Sequence, residues 1–247
     1  MSGHSKWSKI KRAKGANDAK RSKMFSRIVK EIAIAVKESG TDPEANPRLR
    51  LAINNAKGVN MPKDNVERAI NKADKDGDNY EEMSFEGYAI SGIAVFADCL
   101  TDNKNRTVSN VRAIFTKYGG NLGKNGSLTF LFDTKGVFTL PISENVDMDE
   151  FEMEMIESGA EDIEVEDGMI TITTAKEDFG SVQKKIDELG IEIENAGLQR
   201  IPNDIKALDV ESSLKVLKMI DAFEDDDDVQ NVFHSLELTD EVAEAME

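Results

Sequence analysis

Residues 162–173 read DIEVEDGMITIT, two short runs, Asp162–Val165 and Met169–Thr173, on either side of Asp167-Gly168. An Asp-Gly pair suits the positive φ angles of a two-residue hairpin loop, so the stretch predicts a β-hairpin. Working outward, a strand is expected at 136–140, then a helix bearing Met148, Phe151 and Met155. After the hairpin come a helix with Phe179, Val182, Ile186 and Leu189 and a strand over about 191–200. The order β-α-β-β-α-β is the ferredoxin-like pattern.

The flanks have a different character. Ile93, Val95, Ala97 and Cys99 alternate with Ala94, Phe96, Asp98 and Leu100, which reads as a strand buried on both faces. A helix follows with Val108, Val111, Ile114, Phe115 and Tyr118, stopped by Gly119-Gly120, and a second strand is expected at Ser127 to Phe132. A helix with Val216, Leu217, Ile220 and Phe223 and a strand at 229–234 could complete the sheet begun near residue 88. That would make 135–200 an insertion. Before residue 79 the pattern is helical. Phe25, Ile28, Val29, Ile32 and Val36 share one helix face, and the helix stops at Ser39-Gly40. Asn46-Pro47 starts a second helix, with a cap and then proline at the first helical position. A third opens near Asn60 to Pro62, and Asp74 to Asn79 suits a linker. The expected fold class is therefore α+β: a helical domain over 1–78, an α+β domain over 79–134 plus 201–247, and an inserted ferredoxin-like domain over 135–200.

Charge divides along the same lines. The chain of 247 residues carries a net charge of -17. Residues 1–78 hold 18 Lys+Arg and 10 Asp+Glu, whereas 79–247 hold 13 and 38. Residues 1–30 contain 10 basic residues and one acid, Asp18. Screening at about 8 Å in physiological salt makes that local excess, not the average, what a phosphate meets. Lys6, Lys9, Lys11, Arg12, Lys14, Lys20, Arg21 and Lys23 can each neutralise a phosphate and release a counterion. Trp7 among them either stacks on a base or anchors in a core. Between Met1 and Lys23 only Trp7 and Ile10 are large and apolar, too little for a membrane-surface helix. No apolar run approaches the roughly 18 residues of a membrane span, and no secretory signal is expected. At Asp102 to Thr107, Asn103 or Asn105 is expected to cap a helix. Arg106 beside that cap either meets a phosphate or carboxylate or stays exposed.

Catalytic chemistry finds few candidates. His4 and His234 are far apart, and Cys99 in an apolar strand reads as an inert buried thiol. Neither a phosphate-binding G-x-x-x-x-G-K-[ST] loop nor a G-x-S-x-G elbow is present. Asp74, Asp76 and Asp78 open like a calcium loop, but Asn79 and Phe85 stand where glycine and glutamate are required. The acidic run Glu224 to Asp228 reads as a solvated turn. The expectation is a non-enzyme without cofactor or metal.

Several stretches together resemble the YebC/PmpR family: Gly3-His4-Ser5-Lys6-Trp7, Asp18-Ala19-Lys20-Arg21, Lys23-Met24-Phe25, Asp42 to Arg50, Asn60 to Asp64, Glu86-Gly87-Tyr88, Asp102 to Thr107, Gly119 to Gly123, Leu131-Phe132, Asp226 to Val229 and His234. Ala89-Ile90-Ser91-Gly92 departs from the glycine- and proline-rich stretch usual there. The resemblance implies three domains, a cytoplasmic bacterial protein and no cofactor. It adds Arg48 and Arg50 to the candidate nucleic-acid contacts. It implies either a ribosome-associated translation factor that relieves stalling at proline-rich stretches or a DNA-binding transcriptional regulator. Mitochondrial relatives activate translation of a cytochrome oxidase subunit. The expected partners are ribosomal RNA or promoter DNA, with no membrane and no small-molecule substrate, and the expected state is monomeric.

Overall fold

A computed structural model of the chain describes residues 18–76, 79–142 and 147–246. Among these residues the fold is α+β, with an N-terminal helical region and two four-stranded sheets. The chain divides into two compact units. One combines the start of the chain to Arg27 with Asp78–Asp133 and Ile201–Glu247; the other combines Ile28–Gly77 with Thr134–Arg200.

The second unit contains the helical hairpins and the ferredoxin-like sheet. Helix α1 (Asp18–Ser39) contributes its residues from Ile28 onward and ends where Gly40 takes φ 83°. Helix α2 (Pro47–Gly58) starts as its sequence predicts. The Asn46 side chain accepts from the Leu49 amide, and its own amide donates to the carbonyls of Ala35 (2.6 Å) and Gly40 (2.8 Å). One buried side chain thus starts α2 and ties it to the end of α1. Helix α3 (Lys63–Asp76) runs three residues into the stretch read as a linker from Asp74, and buries Val66, Ala69 and Ala73.

The sheet in this unit is ordered β5-β6-β4-β7, from strands β4 (Phe132–Pro141), β5 (Ala160–Glu166), β6 (Met169–Ala175) and β7 (Asn195–Pro202). Helices α5 (Met148–Glu157) and α6 (Phe179–Glu188) pack Phe151, Met155, Val182 and Ile186 onto Phe138, Leu140, Ile170 and Ile172. The β5–β6 turn has Asp167 at φ 51° and Gly168 at φ 76°, the predicted two-residue loop. Helix α2 is fastened to β7 by Asn55, whose amide donates to the Ala196 carbonyl and accepts from the Ala196 nitrogen, both at 2.8 Å. Gly58 permits that approach, because a Cβ there would lie 1.8 Å from the Glu194 carbonyl oxygen.

The first unit is built on a sheet ordered β3-β1-β2-β8, from β1 (Glu81–Tyr88), β2 (Ala94–Thr101), β3 (Asn121–Leu122) and β8 (Val229–His234). Helices α4 (Lys104–Lys117) and α7 (Val210–Asp225) cover one face, where Val95, Ala97 and Cys99 meet Val111, Phe115, Leu217, Ile220 and Phe223. A short helix α8 (Asp240–Glu244) adds Val242. Ala94 and Phe96 on the other face of β2 are covered by Leu128, Leu131, Phe132 and Phe233, so β2 is buried on both sides as predicted.

Two expectations fail in this unit. Strand β1 was not anticipated. Its inner positions are Met83, Phe85 and Gly87, and the glycine dilutes the alternation. A Cβ at Gly87 would meet the Asn121 carbonyl oxygen at 2.4 Å and the Phe115 ring at 2.8 Å. The strand expected over Ser127 to Phe132 is instead a 3-10 turn at Thr129–Leu131, with Phe132 already the first residue of β4. Leu128 and Leu131 both pack inward, and that i, i+3 spacing is the period of a 3-10 turn rather than a strand.

Candidate nucleic-acid interface

Glu86 on β1 is 2 % exposed. Its carboxylate accepts from the amides of Gly126 and Leu128, while its carbonyl accepts from the Gly123 amide at 2.7 Å. The glycine loop after α4 is therefore clamped to β1. Its close backbone approach is made to the protein itself, since a Cβ at Gly120 would lie 2.6 Å from the Tyr88 carbonyl oxygen. Asn203 holds the following 3-10 turn through the Leu131 carbonyl (2.9 Å) and the Phe130 carbonyl (3.2 Å). On this fixed mount Phe130 is 72 % exposed, the most exposed large apolar side chain among the described residues. Asn103 to Phe132 contains Lys104, Arg106, Arg112, Lys117 and Lys124 and no acid, an exception in an acidic body. Replacing Glu86 by alanine leaves the buried Leu128 amide and the part-buried Gly126 amide without their acceptor. We expect a loss of about 1–3 kcal/mol in denaturant unfolding, with faster hydrogen exchange at the Gly126 and Leu128 amides.

The predicted contact residues fall into three groups. Lys6, Trp7, Lys9, Lys11, Arg12 and Lys14 lie outside the described residues. Lys20, Arg21 and Lys23 belong to α1 rather than to an extended leader. Arg21 lies 5.7 Å from the Phe25 ring centroid. Lys23 donates to the Asp225 carboxylate at 2.5 Å and to the Asp225 carbonyl at 3.1 Å. The third group is matched by carboxylates within the fold. Arg48 binds Glu31 (3.1 Å) and Glu38 (2.9 Å), and Arg50 lies 3.7 Å from Glu44 and 3.9 Å from Asp187.

Arg106 follows the Asn103 cap, whose side chain accepts from the Arg106 amide at 3.1 Å. Its guanidinium reaches Asp228 through Nε (3.1 Å) and Nη2 (2.8 Å), and Asp102 at 2.7 Å. These two carboxylates hold the guanidinium pKa further above its already high ordinary value. Of the readings open for Arg106, the carboxylate partner is the one present, and it comes from the far end of the chain.

The acidic run is not the solvated turn expected of it. Asp228 is 2 % exposed and also accepts from the hydroxyls of Thr101 (3.1 Å) and Thr107 (2.9 Å). Asp226 accepts from the Asp228 amide (2.9 Å) and from the Asn110 side chain (2.8 Å). Asp225 receives Lys23, and the Glu224 carbonyl receives Arg27 at 2.9 Å. Burial lowers the Arg27 pKa from its ordinary value, against the pull of Asp225 and Asp227. Sequence reasoning missed these roles because the partners lie more than a hundred positions away. One signal was available: Thr101, Arg106 and Thr107 form a polar set at the end of a buried strand, and such a set needs an acceptor.

The ferredoxin-like sheet is a poor RNA platform. The β5–β6 register pairs Asp162 with Thr173, Glu164 with Thr171 and Glu166 with Met169, opposite the core pair Ile163–Ile172. Sheets that bind RNA carry stacking aromatics there. Cys99 is buried, with its sulfur 3.9 Å from the Ala97 carbonyl oxygen. Among the described residues no three His, Cys, Asp or Glu side chains gather as a metal site would need. Nor is any described helix long and apolar enough to cross a membrane.

Comparison with known proteins gives consistent matches along the chain. Residues 5–76 match the family model of the TACO1/YebC protein N-terminal domain, and residues 80–236 match that of the TACO1/YebC second and third domain. A probable transcriptional regulatory protein of Amoebophilus asiaticus is 52% identical over 239 residues, covering 96% of this chain and 98% of its own. One from Treponema denticola is 51% identical over 241 residues, covering 96% and 97%. The crystal structure of a conserved hypothetical protein from Aquifex aeolicus superposes with a TM-score of 0.80 at 42% identity, covering 91% of this chain and 93% of that one.

Proposed function

Because this chain belongs to the TACO1/YebC family, we propose that it is a non-enzymatic, nucleic-acid-binding regulatory factor that acts on ribosomal RNA in the cytoplasm and relieves stalled translation. The observation that carries this reading is the charge split. Ten basic residues and one acid within residues 1–30 precede a body that is strongly acidic. A polyanion is the partner that such a start attracts. Phe130 favours RNA over duplex DNA. An exposed ring on a rigid loop, in an acid-free stretch, suits an unpaired base, which ribosomal RNA offers and a B-form duplex does not.

The second reading, a DNA-binding transcriptional regulator, is favoured by the names of the relatives. A salt-titrated competition among ribosomes, promoter DNA and scrambled DNA separates the two. On the RNA reading ribosomes win, and Phe130→Ala weakens binding to a single-stranded RNA probe by roughly 5- to 100-fold, one stacked base, with the fold unchanged. Promoter DNA preferred some 10³-fold over scrambled DNA would establish the transcription reading instead.

A further inference from the structure

We infer that the acidic end of α7 is an intramolecular competitor for the polyanion, which restrains the nucleic-acid-binding start of the chain until a dense array of phosphates displaces it; this rests on the reading of that start as the binding segment. Lys23 and Arg27 are one turn apart on α1, so they share a face. Both are spent on the C-terminal end of α7. Lys23 binds the Asp225 carboxylate and carbonyl, and Arg27 binds the Glu224 carbonyl. The last turn of a helix exposes unpaired carbonyls and carries the negative end of its dipole. It therefore imitates, in miniature, the negative oxygens of a nucleic-acid backbone.

The competitor is fixed in place. Asp228 is locked to Arg106, Thr101 and Thr107, and Asp226 closes the turn over its own backbone and Asn110. Asp225 and Asp227 remain exposed beside the basic helix. A phosphate seated on Lys23 would sit about 6 Å from the Asp225 carboxylate, inside the screening distance. Repulsion across that gap in water is worth about threefold in affinity for each carboxylate. A single phosphate on Lys23 bears that penalty alone, whereas several phosphates engaging Arg21, Lys23 and Arg27 together spread it over more favourable contacts. The arrangement selects polyanions over isolated anions.

The test uses the full-length protein and a labelled 20-nucleotide single-stranded RNA, with anisotropy followed from low to physiological salt. The Asp225→Asn/Asp227→Asn variant should bind three- to tenfold tighter than wild type. An equal charge change at the opposite end of the same helix, Asp209→Asn/Glu211→Gln, should shift affinity by less than about 1.5-fold, because 16 residues of α7 put it roughly 20 Å from Asp225, beyond the screening distance. In a Lys23→Gln background most of the gain should vanish, since the competing partner is gone. A gain no larger than the control's, or one undiminished by Lys23→Gln, overturns the competition and leaves the contact as a helix cap. Absence of any salt-sensitive binding by wild type overturns the reading of the basic segment itself, and the inference with it.

Discussion

Replacing Lys9, Lys11 and Arg12 by glutamate lowers affinity for ribosomes by roughly 10³-fold at physiological salt, because three phosphate contacts are lost and three repulsions are added. The slope of log affinity against log salt falls by about 2 units, at close to 0.7–0.9 per contact. A thermal melt run alongside separates lost contacts from lost folding. Co-sedimentation through a sucrose cushion, repeated at several salt concentrations, reads both quantities. Unchanged co-sedimentation would remove these residues from the interface and shift attention to the Phe130 loop.

The second large effect is on stability. Asp228→Ala removes the acceptor shared by Arg106, Thr101 and Thr107. Arg106 can turn into water, because its side chain is 45 % exposed. Thr107 can then donate to Thr101, whose hydroxyl oxygen lies 2.7 Å away. The cost is therefore that of charge-assisted hydrogen bonds rather than of a stranded buried ion, about 3 kcal/mol. The transition of the unit that carries it should drop by roughly 10 °C. Asp228→Asn retains one acceptor oxygen and should lose about half as much. A drop of less than about 2 °C for Asp228→Ala, within what an ordinary surface substitution does, would show that the run is a solvated turn after all.

The contrast between what the sequence disclosed and what it concealed follows from the range of the forces involved. The Asp167-Gly168 turn, the Asn46-Pro47 helix start and the apolar face from Phe25 to Val36 are local. Each is decided by residues within one or two turns, so each is legible. Strand β1 is less so, because Gly87 replaces an apolar side chain exactly where the Phe115 ring and the Asn121 carbonyl approach. The 3-10 turn at Thr129–Leu131 was misread because Leu128, Phe130 and Phe132 alternate like a strand, although Phe130 faces out. At the candidate site the basic start of the chain was legible from charge alone. The engagement of Lys23 by Asp225 and of Arg106 by Asp228 was not, since those carboxylates lie 202 and 122 positions away. A run of acids looks alike whether it is hydrated or clamped.

The pairing of β8 with β2 has a consequence for how the molecule comes into being. Strand β2 spans Ala94–Thr101, but its neighbour Val229–His234 is translated much later, after the whole β4–β7 module. The two sheets therefore differ in timing on a growing chain. The module from Phe132 to Pro202 is contiguous and can condense while synthesis continues. The unit that carries Phe130 and docks Lys23 waits for a strand made roughly 2–6 s afterwards at ordinary elongation rates. Until then Phe96 and its neighbours on β2 lack the cover that Phe233 provides, and β2 offers an open edge. Late in its own synthesis the chain has already made Lys23 and Arg27 but not the end of α7 that they bind. On the RNA reading proposed above, that interval is when the nascent chain binds RNA most tightly.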